Sequence, residues 1–316
     1  MLIRGRRRKR GGRPRGGRWA AAAVLVGLAW PFSAAVDGGE TLLATLAEPG
    51  VTESSGLAAS RRSPGLLWTH NDSGDGPLLY ATDRAGRALG TWTVTGADNV
   101  DWEDLAIGPG ADGNGAEALY VADTGDNARE RTDAAIYRVA EPPPEGTLPD
   151  AGPTPTAPAE RFPLVFPDGP HDVEALLVHP GTGEVVLIGK EVLGEAGIYR
   201  APLPLRAGEP VALERVGGMA LPGLGPTKAV TGGAVSADGR RVVVRTPFLA
   251  HEWAIGEGAT LAEALADRPQ PIVLPPTPRG EAIAYGTDGE MLLTSEGRPC
   301  PLFTATASDP VPRDAE

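Results

Sequence analysis

Hydrophobic and polar positions along the chain repeat in five similar cycles. Each cycle opens with a short apolar strand, turns through Gly and Asp, continues into a second apolar strand and then reaches a third that carries an aromatic residue. The opening segments are Ser55–Ala58, Glu103–Ala106, Glu174–Leu177, Gly232–Val235 and Glu281–Ala284. The aromatic residues are Tyr80, Tyr137, Tyr199, Trp253 and Phe303. Cycles of this length, with about four strands each, are typical of β-propeller blades.

Fourth strands complete the first four cycles, and we predict them at Leu89–Val94, Arg161–Phe166, Val211–Gly217 and Pro271–Leu274. The fifth cycle ends in a polar tail, so its fourth strand must come from elsewhere. Residues 40–46 alternate suitably and would close the ring without an exposed sheet edge. We therefore predict an all-β fold, a single propeller of five blades with four antiparallel strands each, closed by an N-terminal strand. A propeller of six blades is the alternative, because a weak sixth repeat is easily missed in a sequence.

The first 35 residues have the order of a secretory signal peptide. Nine basic residues lie within positions 1–18, an apolar run follows from Trp19 to Trp30, and small residues close the segment at Ser33–Ala35. A basic arm for nucleic acid is the weaker interpretation, because the apolar run follows directly. That run is shorter than the roughly 20 residues that span a bilayer, so an uncleaved anchor is only an alternative. We predict a signal peptide at 1–35, the propeller at 36–307, a polar tail at 308–316, and a protein secreted from a bacterial cell.

The distribution of charge along the chain limits the possible partners. All 41 acidic residues follow the basic segment, and only 20 of the 29 basic residues remain beyond it, so the predicted mature chain has a net charge of −21. Such a chain repels nucleic acid and anionic membranes, since both require neutralisation of phosphates. The single cysteine, Cys300, excludes an intramolecular disulfide. We expect a monomer with a small anionic ligand, or with an extracellular protein or glycan, as partner.

Acidic residues recur at equivalent places in the repeats. Inner strands of a propeller line its channel, and strand side chains alternate with a period of two. The opening position of a cycle and the position two residues earlier therefore share one face. The acidic residues in these two rows are Glu53, Asp101, Glu103, Asp172, Glu174 and Glu281. Apolar residues such as Leu105 alternate onto the same face, so this pattern alone does not settle which side chains point into the channel.

Two second strands end in the pattern Asp-Ser/Thr-Gly-Asp, at Asp72 and at Asp123. The pattern fits either a turn in which Asp caps its own backbone or an oxygen-rich cation loop. Both copies are expected at the mouth of the channel, where the inner strands begin. We predict a divalent-cation site there, for Ca²⁺ first and for another divalent cation as the alternative. The predicted ligands are Asp72, Asp101, Glu103, Asp123, Asp172, Glu174 and Glu281.

Lys190 and Arg245 lie at the ends of the second strands of the third and fourth cycles. His70 lies at the end of the second strand of the first cycle. Cations at an acidic mouth indicate anion binding, so we predict that these three residues contact substrate. A non-catalytic binding module is the favoured function. The alternative is a metal-assisted phosphoesterase or esterase-like hydrolase, with Glu174 or Glu103 as general base.

Five phrases resemble a family of secreted bacterial β-propeller proteins of the WD40-like type. They occupy residues 53–58, 68–75, 99–106, 123–127 and 280–284, and the resemblance covers roughly residues 52–305. More distantly, the chain is similar to phytase-like propellers and to calcium-activated nucleotidases. The resemblance implies a propeller and export, but it implies no particular activity and carries over no catalytic residue.

Overall fold

The computed structural model of the chain describes residues 41–111, 113, 115–143, 152–274, 277 and 279–305. All of them belong to one unit, Asp37–Glu316. The predicted signal peptide (1–35) and polar tail (308–316) lie outside the described residues. No helix within the described ranges is long and apolar enough to cross a membrane.

Five sheets form the structure, and each is one blade of four antiparallel strands, with a short parallel strand added at the edge of two of them. The first strand, β1 (Thr41–Thr45), belongs to the last blade. Blade 1 contains β2 (Ser54–Ala59), β3 (Leu66–Asn71), β4 (Leu78–Asp83) and β5 (Ala88–Thr93). Blade 2 contains β6 (Trp102–Pro109), β7 (Glu117–Asp123), β8 (Ala135–Ala140) and, after the short β9 (Thr154–Pro155), β10 (Glu160–Val165).

The remaining blades follow the same plan. Blade 3 contains β11 (Val173–Val178), β12 (Val185–Gly189), β13 (Ala196–Ala201) and, after the short β14 (Val211–Ala212), β15 (Glu214–Met219). A 3₁₀ turn (Gly225–Lys228) leads into blade 4, which contains β16 (Gly232–Val235), β17 (Arg241–Arg245), β18 (Leu249–Ala254) and β19 (Gln270–Val273). The short helix α1 (Leu261–Leu265) connects β18 to β19. Blade 5 contains β20 (Gly280–Tyr285), β21 (Met291–Ser295), β22 (Pro301–Ala305) and β1.

The inner strands form a closed ring, because each of β2, β6, β11, β16 and β20 contacts the next and β20 contacts β2. The predicted five-bladed, all-β propeller is therefore confirmed. The predicted closing strand is also present, since β1 pairs antiparallel with β22.

Two short strands pair with outer sheet edges for which the sequence predicts no partner. Residues of β9, in the Pro-rich connection between β8 and β10, pair in parallel with β5 of blade 1. Residues of β14 pair in parallel with β10 of blade 2, whereas the sequence assigned Val211 to the fourth strand of blade 3. Both pairings have the same reason: an outer strand offers unpaired backbone groups, and a nearby extended segment satisfies them.

Apolar side chains fill the spaces between neighbouring blades in five clusters. Each cluster contains one of the five aromatic residues of the repeat, which are Tyr80, Tyr137, Tyr199, Trp253 and Phe303. Four of the five aromatics are buried and Phe303 is partly buried. The aromatic residue of each repeat thus acts as a wedge that packs one blade against the next.

Around the channel, buried polar side chains join adjacent blades. The Ser54 hydroxyl shares a hydrogen bond of 2.7 Å with Thr294 of blade 5. The Ser55 hydroxyl donates to the Glu103 carbonyl of blade 2 at 2.7 Å. These bonds satisfy groups at the inner edge that would otherwise be buried without partners.

Asp104 makes the most extensive of these contacts. Its carboxylate is fully buried and accepts from the backbone N–H groups of Leu105 (2.8 Å), of Leu176 in blade 3 (2.8 Å) and of Gly233 in blade 4 (3.2 Å). Burial raises the pKa of Asp104 well above its usual value, while the three donors act against that shift. One side chain therefore ties three blades together.

Asp104→Ala should destabilise the protein by at least ~3 kcal/mol, because each orphaned buried donor costs about 1–3 kcal/mol. Asp104→Asn keeps an acceptor oxygen and should cost less. Urea unfolding followed by tryptophan fluorescence measures both. Asp98→Ala, which removes an exposed carboxylate, is the control and should change stability by no more than about 0.5 kcal/mol. Equal effects of Asp104→Ala and the control would contradict this role.

Deleting residues 1–45 should lower the melting temperature by about 10 °C or more, because blade 5 then loses its outer strand and exposes the edge of β22. Deleting residues 1–36 keeps β1 and is the matched control. Thermal melts followed by circular dichroism compare the two proteins, and similar melting temperatures would show that β1 is dispensable.

Candidate metal centre at the mouth of the channel

Backbone irregularities at the start of the inner strands aim acidic side chains into the channel. Pairing shifts register between Trp102 and Asp104 in β6, and between Val173 and Ala175 in β11. The residues at these bulges are Glu103 and Glu174. A bulge interrupts the alternation of side chains and redirects one of them. Successive residues such as Glu103 and Asp104 can thus both face the channel.

The same irregularity recurs in two further blades. Register shifts between Ser54 and Gly56 in β2, and between Gly280 and Ile283 in β20, the strand that carries Glu281. In β16, where the equivalent residue is Gly232, pairing proceeds without a shift. The bulges explain why Leu105 does not share the environment of Glu103, which strict alternation would require.

Five carboxylates meet at the mouth in two overlapping groups. Ligand-type oxygen atoms of Asp72, Asp101 and Glu103 lie within 4.8 Å of one another, and so do those of Glu103, Asp172 and Glu174. Glu103 belongs to both groups and connects them. Five of the seven ligands predicted from the sequence are therefore brought together. Glu281 lies close enough to influence the titration of Glu174.

Gly125 allows a loop to close over this cluster. A Cβ atom at this position would lie 2.1 Å from a carboxylate oxygen of Glu103 and 2.5 Å from the carboxylate of Asp101. The backbone N–H of Gly125 also donates to the Asp101 carbonyl at 3.1 Å. The Asp-Thr-Gly-Asp segment thus needs glycine for close approach of the backbone. In this copy, the carboxylate of Asp123 accepts from the N–H of Asp101 and not from the backbone of its own loop.

Two asparagines position the loop that carries Asp72. The Asn71 side chain accepts from the N–H of Glu53 at 3.0 Å and donates to Asp75 at 2.7 Å. The Asn99 amide donates to the Asp72 carbonyl at 3.0 Å and accepts from the N–H of Trp102. Both asparagines lie in segments that carry the family resemblance, 68–75 and 99–106, but the sequence assigned neither of them a role. Their position beside acidic residues was the available signal, because Asn commonly bonds to nearby backbone groups.

Crowding and burial favour protonated carboxyl groups at the mouth. Burial raises the pKa of Glu174 to about 8, with Asp172 and Glu281 adding to the shift and Lys190 opposing it. Burial also raises the pKa of Glu281 to about 7. The pKa of Asp101 rises to about 7 through burial and through a hydrogen bond to Asp72. Carboxyl groups held this closely cannot all ionise without a compensating positive charge.

Glu103 differs from its neighbours because its carboxylate has no hydrogen bond or ion pair within the described ranges. Its side chain is 5% exposed, and no donor in the described part of the chain forms a hydrogen bond with its carboxylate. Burial and repulsion from Glu174, Asp72 and Asp101 raise its pKa well above the usual value, and the nearby Lys190 opposes this shift only in part. A buried ionised carboxylate without a donor or a cation is strongly disfavoured.

Lys190 supplies one positive charge. Its ammonium donates to the carboxylate of Glu174, and its side chain is about one-third exposed. The carboxylates of Glu174, Glu103 and Asp172 raise the pKa of Lys190 against the effect of burial. Lys190 therefore lies at the mouth as predicted, but its ammonium is already paired with Glu174.

Arg245 does not reach the mouth, which corrects its predicted role in substrate binding. The side chain is fully buried and donates to the carbonyl groups of Ala282 and Thr294 in blade 5, and to the Thr277 hydroxyl at 3.2 Å. Burial lowers its pKa to about 10, against the attraction of Glu281. Arg245 satisfies backbone acceptors between two blades, so its guanidinium is not available to a ligand.

His70 and Asp123 also need correction. His70 has no exposed surface, its Nδ1 lies 3.0 Å from the Asn71 carbonyl, and its ring packs edge-on against Trp102. Asp123 accepts from the N–H of Asp101 at 3.0 Å and from Arg131 at 2.9 Å. His70 is thus a core residue. Asp123 positions the backbone of Asp101 instead of joining the ligand cluster.

Comparison with known proteins adds little to this geometry. No protein-family model matches the sequence, and no curated protein matches it at a significant level. A glucose dehydrogenase structure is similar with a TM-score of 0.45 at 11% identity, over 85% of this chain and 99% of that chain. A PQQ-bound aldose sugar dehydrogenase from Streptomyces coelicolor is similar with a TM-score of 0.43 at 14% identity, over 85% and 98%. Likenesses this low carry no argument about activity or cofactor.

In EDTA, the stability of the protein should fall as pH rises from 6.5 to 8.5. The folded-state pKa values of Glu174, Glu281 and Asp101 are raised to about 8, 7 and 7, so the folded protein binds more protons than the unfolded chain in this window. Stability contributed by such groups is lost as pH passes their folded-state pKa values, here by on the order of 1 kcal/mol. Urea unfolding at several pH values measures the trend.

The window starts at pH 6.5 because of buried His251, whose pKa burial lowers to about 4. Below the unfolded-state pKa of about 6.5, the unfolded chain binds a proton at this histidine that the folded protein does not bind. Stability therefore falls with falling pH only below this value. Glu174→Gln should flatten the decline above pH 6.5. A stability that rises with pH in EDTA would be inconsistent with the shifted carboxyl groups.

Proposed function

We propose that the protein is a binding propeller that holds a divalent cation, Ca²⁺ before others, at the acidic mouth of its channel. The observation that carries this proposal is Glu103. The residue is 5% exposed, and its carboxylate has no hydrogen-bond donor among the described residues and belongs to both groups of clustered oxygens. A cation at this point would neutralise the buried charge and the repulsion of its neighbours at once.

The separation of the oxygens fits a shared ion. Ca²⁺ takes six to eight oxygen ligands at about 2.3–2.6 Å, so two ligands of one ion lie at most about 5 Å apart. The ligand-type atoms of each group lie within 4.8 Å of one another. Asp172 already accepts the N–H of Asp126 on one oxygen, which leaves its second oxygen for an ion. The remaining positions would be filled by water or by an anionic ligand.

Lys190 alone does not balance the mouth. One ammonium group pairs with Glu174, while Asp72, Asp101, Glu103 and Asp172 complete the cluster. Protons can supply the missing positive charge only where pH is below the raised pKa values. Near neutral pH, a divalent cation is the more effective partner for these oxygens.

The hydrolase alternative has lost part of its basis. It required Lys190 and Arg245 to hold an anionic substrate together, and Arg245 is buried between blades. A catalytic role for Glu174 or Glu103 stays a prediction. We therefore propose a binding protein whose bound cation faces solvent and accepts an oxygen of an anionic ligand. The order of residues 1–35 supports placing this protein outside the cytoplasm.

Calcium should raise the melting temperature of the EDTA-treated protein in a saturable manner. Binding to the folded state alone adds about 2.7 kcal/mol at a hundredfold excess over Kd. Differential scanning fluorimetry across CaCl₂ concentrations at pH 7.5 measures the gain, and MgCl₂ at matched ionic strength tests selectivity. Calorimetric titration of the wild-type protein gives the affinity directly.

Glu103→Gln makes this test specific, because it should keep or raise stability in EDTA and reduce the stabilisation by calcium. In EDTA the variant should be at least as stable as the wild type, since one repelling carboxyl group is gone. With calcium it should gain little. Glu209→Gln, which removes an equal charge from an exposed position, should respond as the wild type does. Identical melting curves in EDTA and in excess calcium would refute the proposal.

A further inference from the structure

A groove between blades 3 and 4 opens at the end of the molecule opposite the acidic mouth. It has a volume of about 740 Å³ and is lined by the turn between β11 and β12, the segment after β13, the turn between β16 and β17, and the segment after β18. Cavities of roughly 300–1,000 Å³ are usual for small-molecule sites. Nothing in the sequence repeat indicates this groove, because it lies between turns of different blades.

Glu184 places an unsatisfied acceptor in this groove. Its side chain is only 9% exposed. One carboxylate oxygen accepts from the N–H of Leu261 at 2.8 Å, while Oε1 is buried without any partner. A buried acceptor without a donor costs free energy that a ligand with an N–H or O–H group would recover. The groove therefore favours a ligand that brings a donor to Glu184.

Arginine side chains supply the opposite charge at the same groove. Arg240 lines it and is exposed, and its guanidinium makes no hydrogen bond or ion pair within the described ranges. Arg200 also lines the groove but is paired with Glu214 at 2.6 Å. Asp238 attracts the Arg240 guanidinium without a hydrogen bond to it, so the guanidinium can still bind a ligand carboxylate through two parallel hydrogen bonds.

Apolar side chains complete the lining between these polar groups. Leu203 is 50% exposed and lines the groove together with the buried Ile255. An exposed leucine beside a concave surface offers a contact for an aliphatic group. The groove thus combines an acceptor, a cationic donor and an apolar wall.

We propose that this groove binds a small zwitterion with an aliphatic side chain, namely an amino acid or a dipeptide. The ammonium group donates to Glu184, the carboxylate pairs with Arg240, and the aliphatic part packs against Leu203. This site is separate from the acidic mouth and does not depend on a cation there. A neutral polyol would satisfy Glu184 but would leave Arg240 without an anionic partner.

Isothermal titration calorimetry with the dipeptide alanyl-leucine tests the proposal. We expect saturable binding at concentrations up to ~5 mM, in calcium and in EDTA alike. N-acetylation of the dipeptide should weaken binding at least tenfold, because it removes the ammonium group. Amidation of its C-terminus should weaken binding through loss of the carboxylate. Binding of a polyol such as sorbitol, with no binding of the dipeptide, would overturn the proposal.

Variants assign the two contacts. Glu184→Gln keeps an oxygen for the Leu261 N–H but removes the charge, and it should weaken dipeptide binding at least tenfold. Arg240→Ala changes an exposed side chain and leaves the fold intact, so it tests the site even if the first variant is unstable. Glu257→Gln is the matched control, since Glu257 lines the groove but is exposed. An equal loss in the control, or no loss in Arg240→Ala, would contradict the assignment.

Discussion

Backbone donors and acceptors at the inner edge of each blade face the central channel, and the whole ring depends on how they are satisfied. The Asp104 carboxylate accepts N–H groups from blades 2, 3 and 4. On the other side of the ring, the Arg245 guanidinium donates to carbonyl groups of blade 5. A buried carboxyl group holds donors and a buried guanidinium holds acceptors, so each side chain is bonded to backbone dipoles of the neighbouring strands. Side chains thus make contacts in the channel that a continuous sheet would supply by strand pairing.

The same inner edge creates the acidic mouth. Bulges at Glu103 and Glu174 turn these side chains toward the channel, and Asp104 follows Glu103 directly. The residue that ties three blades together is therefore the neighbour of Glu103, whose carboxylate accepts no hydrogen bond from the described residues. Because Asp104 is held by three backbone donors, Glu103 has little freedom to withdraw from its neighbours. Structural rigidity keeps the carboxylates crowded, and crowding gives the mouth its affinity for protons and cations.

Much of the fold could be predicted from the sequence because the repeat records a periodic physical demand. Every blade needs a tight turn and an aromatic wedge, and the last blade needs a closing strand such as β1. The site was predicted less completely, since the bulges and the partners of individual side chains leave no periodic trace. Arg245 and Lys190 end equivalent strands, yet one is buried and the other reaches the mouth. Asp104 and Glu184 were missed because a single acidic residue in a strand or turn gives no sign of what it will accept.

The hairpin of β11 and β12 connects the two ends of the molecule. It carries Glu174 at the mouth and Glu184 at the opposite groove, and every residue of both strands is buried. Strands packed on both faces move as one body, because interiors at crystal-like density leave no room for a second arrangement. Coupling between distant sites requires an element with two states, and a hairpin packed on both faces favours a single arrangement. Occupation of the mouth and of the groove should therefore be energetically independent, each set by its own unsatisfied carboxylate.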